Sequence, residues 1–210
     1  MLFTVALPMT GLAAPSLPIT IESCDDFINI VAYVNISGDA ADMTIGGTTY
    51  RQAFIDGVIH NWSGDKDGVY VTVTVIDVAD NPIIGQRSLD VIIRQGPGIS
   101  RLLAHIWWMP RLPGTIVLYQ GDFRCAVHGI AHRYNVREFR RVSAHEFGHA
   151  LGICDTQRRD LRTIMGPRVW FTTATRLDLE LALRAHETER WQTFERNSVL
   201  IETYGELWGW

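Results

Sequence analysis

One stretch constrains this chain more than any other: His145-Glu146-Phe147-Gly148-His149-Ala150-Leu151-Gly152-Ile153-Cys154-Asp155. Read as a helix, it sets His145 and His149 on one face, so both imidazoles can reach a single metal ion. Glu146 then sits beside them, near a water on that metal. Gly152 can adopt the left-handed conformation that ends a helix and turns the chain back. Such a turn brings Asp155 round as a third ligand. Two imidazoles and a carboxylate leave one position for water, which is the arrangement of a catalytic zinc and not of a closed structural one.

Further on, the chain reads Ile164-Met165-Gly166-Pro167. Together the two segments resemble the metzincin clan, whose motif is H-E-x-x-H-x-x-G-x-x-H followed by a methionine turn. Asp155 stands where the third histidine is usual, a variant also found in snapalysin-type enzymes, and Met-x-Pro is similar to the matrixin branch. The resemblance implies a zinc-dependent endopeptidase with one catalytic Zn2+ on His145, His149 and Asp155. It implies Glu146 as general base and Met165 as an apolar floor beneath the metal that does not ligate it. Pro167 occupies the place where other branches carry a tyrosine ligand, so none is expected. A second ligand set stays open, in which Asp155 is an outer group and Asp178, Glu180 or His186 completes the site.

The flanking sequence supplies the expected frame. Phe27 to Ile36 is β-branched and apolar and reads as a strand. Tyr50, Phe54, Val58 and Trp62 recur every fourth residue, widened by Ile55 and Ile59, and mark an amphipathic helix that Thr48 or Thr49 caps and Ser63-Gly64 ends. Val69 to Val75 alternates as a second strand, and Leu89 to Arg94 forms a third, closed by Gln95-Gly96-Pro97-Gly98 as a turn. Asn135, with Glu138 three positions on, reads as a capping box that opens the motif helix. Leu177, Leu181, Ala182 and Ala185 suggest a C-terminal helix.

The fold expected is therefore α+β and metzincin-like: a twisted, mostly parallel sheet with an antiparallel edge strand, an active-site helix, a Met-turn and a C-terminal helix. The resemblance implies that Thr115, Ile116, Val117 and Leu118 are that edge strand and hold an extended peptide by strand addition; the plainer reading is an interior strand. It also implies that the segment after the Met-turn, with Arg168 and Trp170, walls a substrate pocket, unless Trp170 and Phe171 pack in the core. Residues 27–210 read as one catalytic domain, with an upper part at 27–152 and a lower part at 153–210.

Residues 1–26 read as an apolar leader, signal-like segment or pro-segment. The first 21 residues carry no charged side chain, and small residues follow the apolar run at Ala13-Ala14. Pro8, Pro15 and Pro18 interrupt it, so a membrane span is not expected. Secretion is the matching location. A net charge of −4 argues against a nucleic-acid partner; a peptide or protein substrate and a monomer are expected.

Weaker signals have two readings each. Cys24 and Cys125 can pair, leaving Cys154 free, or Cys24 can cap the zinc. His128 and His132 can hold a second metal or be ordinary histidines. Asp65 and Asp67 can bind Ca2+ or form a polar turn, and Trp107-Trp108-Met109-Pro110 is either core or contact surface. Two other functions share the motif: a catalytically silent binding module, and a zinc amidase acting on non-protein amides.

Overall fold

The computed structural model describes residues 17–103, 114–127, 130–156, 163–166 and 173–194. Strand β1 (Ile19–Cys24) doubles back at Asp25, which has a left-handed φ of 44°, and pairs antiparallel with β2 (Phe27–Ser37). Along β2 every second side chain, Ile28, Ile30, Ala32, Val34 and Ile36, is buried, as a strand covered on one face requires. A short hairpin of β3 (Thr44–Ile45) and β4 (Thr48–Thr49) leads into α1 (Tyr50–Trp62), where the Thr49 hydroxyl accepts from Gln52 N. β5 (Gly64–Lys66) and β6 (Val69–Asp77) form an antiparallel hairpin around Asp67-Gly68. Then come β7 (Leu89–Gly98), β8 (Arg101–Leu103), β9 (Thr115–Val127), β10 (Ile130–Arg133), α2 (Val136–Ala150) and α3 (Arg176–Thr188).

The result is an α+β molecule with one mixed sheet in the order β10-β9-β7-β2-β6-β5, β1 being added to β2 and β8 to β9. The four central strands β9, β7, β2 and β6 run parallel, and the antiparallel partners lie around them. Helices α1 and α2 pack on each other and share the core with the sheet. Trp62 and Phe147 meet edge-on at 6.1 Å, Tyr50 and Phe139 at 4.8 Å, and Trp62 Nε1 donates to Ala144 O at 2.9 Å. The Arg140–Asp56 ion pair, 2.5 Å, ties the same two helices at their half-exposed rim. Among the described residues no helix is long and apolar enough to cross a membrane.

Several expectations need correction. Residues 19–24, within the segment read as a leader or pro-segment, are an extended strand packed on the domain as part of the sheet, and Tyr33 N donates to Pro18 O at 2.8 Å. Gln95 to Gly98 is not a turn; β7 continues through it, with a register shift between Arg94 and Pro97 that accommodates the extra backbone. Thr115, Ile116, Val117 and Leu118 are not an antiparallel edge. They run parallel to β7, while Thr115, Ile116 and Val117 are paired on their other side by β8, so their backbone groups are already used. On α1 the buried stripe is widened by Ala53, Gly57 and Asn61, while Ile55 and Ile59 are half-buried. On α3 it is Leu179 that reaches the core with Ala182 and Ala185; Leu177 is exposed.

Candidate metal centre

Helix α2 is fixed at its start by the expected capping box. Glu138 N donates to Asn135 Oδ1 at 3.0 Å, and Asn135 N donates to Glu138 Oε2 at 2.9 Å. His132 Nε2 joins the same Glu138 oxygen at 3.0 Å, so this histidine serves the helix start. The helix runs to Ala150, and Gly152, at φ +88°, turns the chain back over its last turn. A β-carbon at that φ is strained, which is why a glycine closes this helix.

The two imidazoles lie with ring centroids 4.9 Å apart and planes nearly perpendicular. His145 Nδ1 bonds Ile164 O and His149 Nδ1 bonds Ile153 O, both at 2.8 Å. A carbonyl can only accept, so each Nδ1 carries a proton and each Nε2 is the atom left to hold either a second proton, shared with Asp155, or a metal in its place. Both Nε2 atoms face Asp155 Oδ1, His145 at 3.2 Å and His149 at 3.4 Å. Tetrahedral zinc with bonds of about 2.0–2.1 Å puts neighbouring ligand atoms about 3.3–3.4 Å apart. The donor set and its two nitrogen–oxygen spacings therefore fit the ion that the sequence implies. Among the described residues this trio is the one group of three or more such side chains whose ligand atoms lie within 4.8 Å of one another.

Electrostatics agree with a seat for positive charge. Burial works to lower the basicity of His145, but the hydrogen bond to Asp155 and the charges of Glu146 and Asp155 outweigh it and push its pKa up to about 9. Burial likewise works to raise the Asp155 carboxyl, yet its bonds to His145 and His149 hold it well below the usual carboxylate range. Glu146, next along the helix, is buried.

Beneath α2 lies Met165, fully buried against Gly148 and Trp62. A β-carbon on Gly148 would collide with the Met165 sulfur and sit 3.1 Å from Trp62 Cζ2, so close packing of the floor requires glycine there. The turn that carries Met165 is tied in three directions. Ile164 O receives His145, Met165 O receives Thr156 N at 3.0 Å, and Thr163 Oγ1 accepts from Met165 N at 3.1 Å while donating to Asp178. Asp178 is wholly buried and also accepts from Thr175 N and Thr175 Oγ1, both at 2.7 Å, which caps α3. Burial raises its pKa, against the lowering effect of the bonds from Thr163, Thr175 and the Ile164 backbone.

Asp178 is thus an anchor of the methionine turn and not the third ligand. Glu180 is exposed and pairs with Arg176 at 3.0 Å, and neither it nor His186 joins the ligand group. Cys24 is an exposed free thiol at the end of β1, outside that group as well. Cys154 is buried, and burial together with the Asp155 charge pushes its thiol up to about 12, so it is a poor metal ligand. Asp65 Oδ1 accepts from Gly68 N at 3.0 Å within the β5–β6 hairpin, the work of a turn residue. His128, Arg168, Trp170, Phe171 and the Trp107–Pro110 cluster lie outside the described residues, as does the Cys125 side chain.

Sequence reading missed Thr163 and Gln192, and it named Asp178 as an alternative ligand and not as the anchor of this turn. For Asp178 the signal was present: Thr175-Arg176-Leu177-Asp178 has the spacing of a capping box. No known family's profile matches the chain, and no curated protein matches it in sequence.

Proposed function

We propose that this protein is a zinc-dependent endopeptidase with a metzincin-like catalytic domain. The observation that carries the reading is the meeting of two imidazole Nε2 atoms, 3.2 Å and 3.4 Å from one carboxylate oxygen, with all three ligand atoms within 4.8 Å of one another. The methionine floor beneath them and Glu146 one residue along the helix support it. Zinc, when bound by His145, His149 and Asp155, supplies a Lewis acid that polarises an amide carbonyl and acidifies a water.

The remaining work belongs to the chain's own groups. Glu146 takes a proton from the attacking water and returns it to the leaving amine, the two halves of general acid–base catalysis. Both Nδ1–H···O=C bonds hold the imidazoles in the ligating tautomer and orientation. Substrate backbone is held at the sheet margin. Because Thr115 to Val117 are already paired, that margin, among the described strands, is β8, an antiparallel strand on the outer side of β9 that also contacts α2. An extended peptide laid along β8 comes beside the ligand-bearing helix.

A secreted enzyme fits this reading. The small residues Ala13-Ala14 lie before β1, so cleavage there leaves every described strand intact.

The test is zinc-dependent cleavage of a mixed peptide library by the full chain and by Glu146→Ala. The expected result is that both bind one zinc and only the unaltered chain cuts. If both bind zinc and neither cuts, a binding module or an amidase for non-protein amides replaces this function.

A further inference from the structure

Asp155 is oddly placed for a metal ligand. Its side chain is 52% exposed, so packing does not hold it, and it stands on an irregular segment after the helix has ended. Apart from its contacts with the two imidazoles, its position comes from the backbone on either side. On one side Thr156 N is bonded to the methionine turn at Met165 O. On the other, Gly152 O accepts from Gln192 N and Cys154 N donates to Gln192 O, both at 2.9 Å. These two bonds make a parallel bridge between Ile153 and Gln192.

Gln192 reaches this place because Glu189, left-handed at φ 58°, ends α3 and turns the chain back. The following segment is buried through Trp191, Gln192 and Phe194, and Phe194 belongs to the main core. The Gln192 side chain points its amide to Thr188 Oγ1 at 3.2 Å and Arg190 O at 3.1 Å, bracing the turn itself. The stretch therefore has a fixed base, and it offers one donor and one acceptor to the ligand loop.

We propose that Trp191–Phe194 is a positioning strap of the metal centre, whose Gln192 backbone pins Gly152 and Cys154 and thereby holds Asp155 in place as third ligand. This rests on the zinc reading given above. A loop ligand adds to affinity only so far as its order is already established before the metal arrives, because ordering it afterwards subtracts from the binding free energy. The His149–Ile153 O bond depends on the same loop, so the strap also steadies the second imidazole.

The probe is cobalt(II) added to the full-length chain, since its visible absorption reports the ligand set. Gln192→Pro removes the N–H that bonds Gly152, whereas Gln192→Ala keeps both backbone groups. Gln192→Pro is expected to weaken cobalt and zinc binding by about 10–100-fold, the usual effect of losing a group that orients a ligand. Its cobalt spectrum should move to that of Asp155→Ala, and Gln192→Ala should retain the unaltered spectrum. Wild-type affinity and spectrum in Gln192→Pro overturn the strap alone. An unaltered chain that takes up no cobalt overturns the zinc reading and the strap with it. If Gln192→Pro does not fold, hydrogen exchange in the unaltered protein decides. The Cys154 and Gln192 amides should exchange at a common rate and slow together when zinc is added. Unrelated rates that ignore zinc overturn the proposal.

Discussion

His145 and His149 share a site with Asp155, but the two halves of that site are held by different physics. The histidines ride on one helix, where the backbone ladder fixes their spacing and a capping box fixes the helix start. Asp155 rides on a segment with no ladder, tied to residue 165 by one backbone bond and to residue 192 by two. Local geometry sets the first half; long-range closure sets the second. The lesson is that a ligand's dependability follows from what orders its backbone, not from how near it lies in sequence to its partners.

The largest effect should come from breaking the helical half. His149→Ala removes an imidazole and its bond to Ile153 O together, and tight zinc binding should be lost; Asp155→Ala should leave weaker, measurable binding in the same competition titration. Equal losses in the two variants would mean that the helical and loop halves of the site are held alike.

Next comes Asp178→Ala, which strands the donor of buried Thr163 and those of half-buried Thr175. Urea denaturation should show a loss of about 2–4 kcal/mol, since each orphaned buried group costs about 1–3 kcal/mol. Zinc affinity should fall too, because the turn that receives His145 loosens.

Gly152→Ala forces a side chain into the left-handed region and should cost about 1–2 kcal/mol, again read by denaturation. Asn135→Ala removes the cap of α2 at the end away from the metal and should cost about 1 kcal/mol while zinc affinity stays put. A drop in affinity there would mean that the helix is not the self-sufficient half.

The smallest effect is one of pH. Lys66 is buried, and burial depresses its pKa below the ordinary lysine value of 10.5, against the pull of Asp178 and Asp65. Between the folded and unfolded values the unfolded chain binds more protons, so stability rises with pH up to about 10.5 and declines as pH falls through the folded value. Lys66→Met should remove that rise from a series of denaturation curves; an unchanged rise would assign it to other groups.

How much of this was readable in advance follows the same division. The motif helix, its cap at Asn135, the turn at Gly152 and the closure on Asp155 were all legible, because each depends on residues a few positions apart. So were β2, α1 and β6, whose side-chain periodicities are clean. The extension of β7 was hidden by Gly96-Pro97-Gly98, whose local preference for turning is overridden by pairing with β9. Thr115–Leu118 looked like an edge, since nothing local announces that β8 will cover it. β1 was concealed inside a proline-broken apolar leader. Gln192 was beyond reach for a different reason: its contribution is made by main-chain atoms that every residue except proline possesses, so no letter marks it.

That main-chain bridge also has a meaning in time. A chain made from its N-terminus completes α2, with both histidines and Glu146, well before residue 192 exists. Until the end of α3 has emerged and turned at Glu189, nothing can bond Gly152 and Cys154 from that side. The order of synthesis thus imposes an order of assembly: the His145, His149 and Asp155 group receives its brace from residue 192 only after the sheet it stands beside has been made.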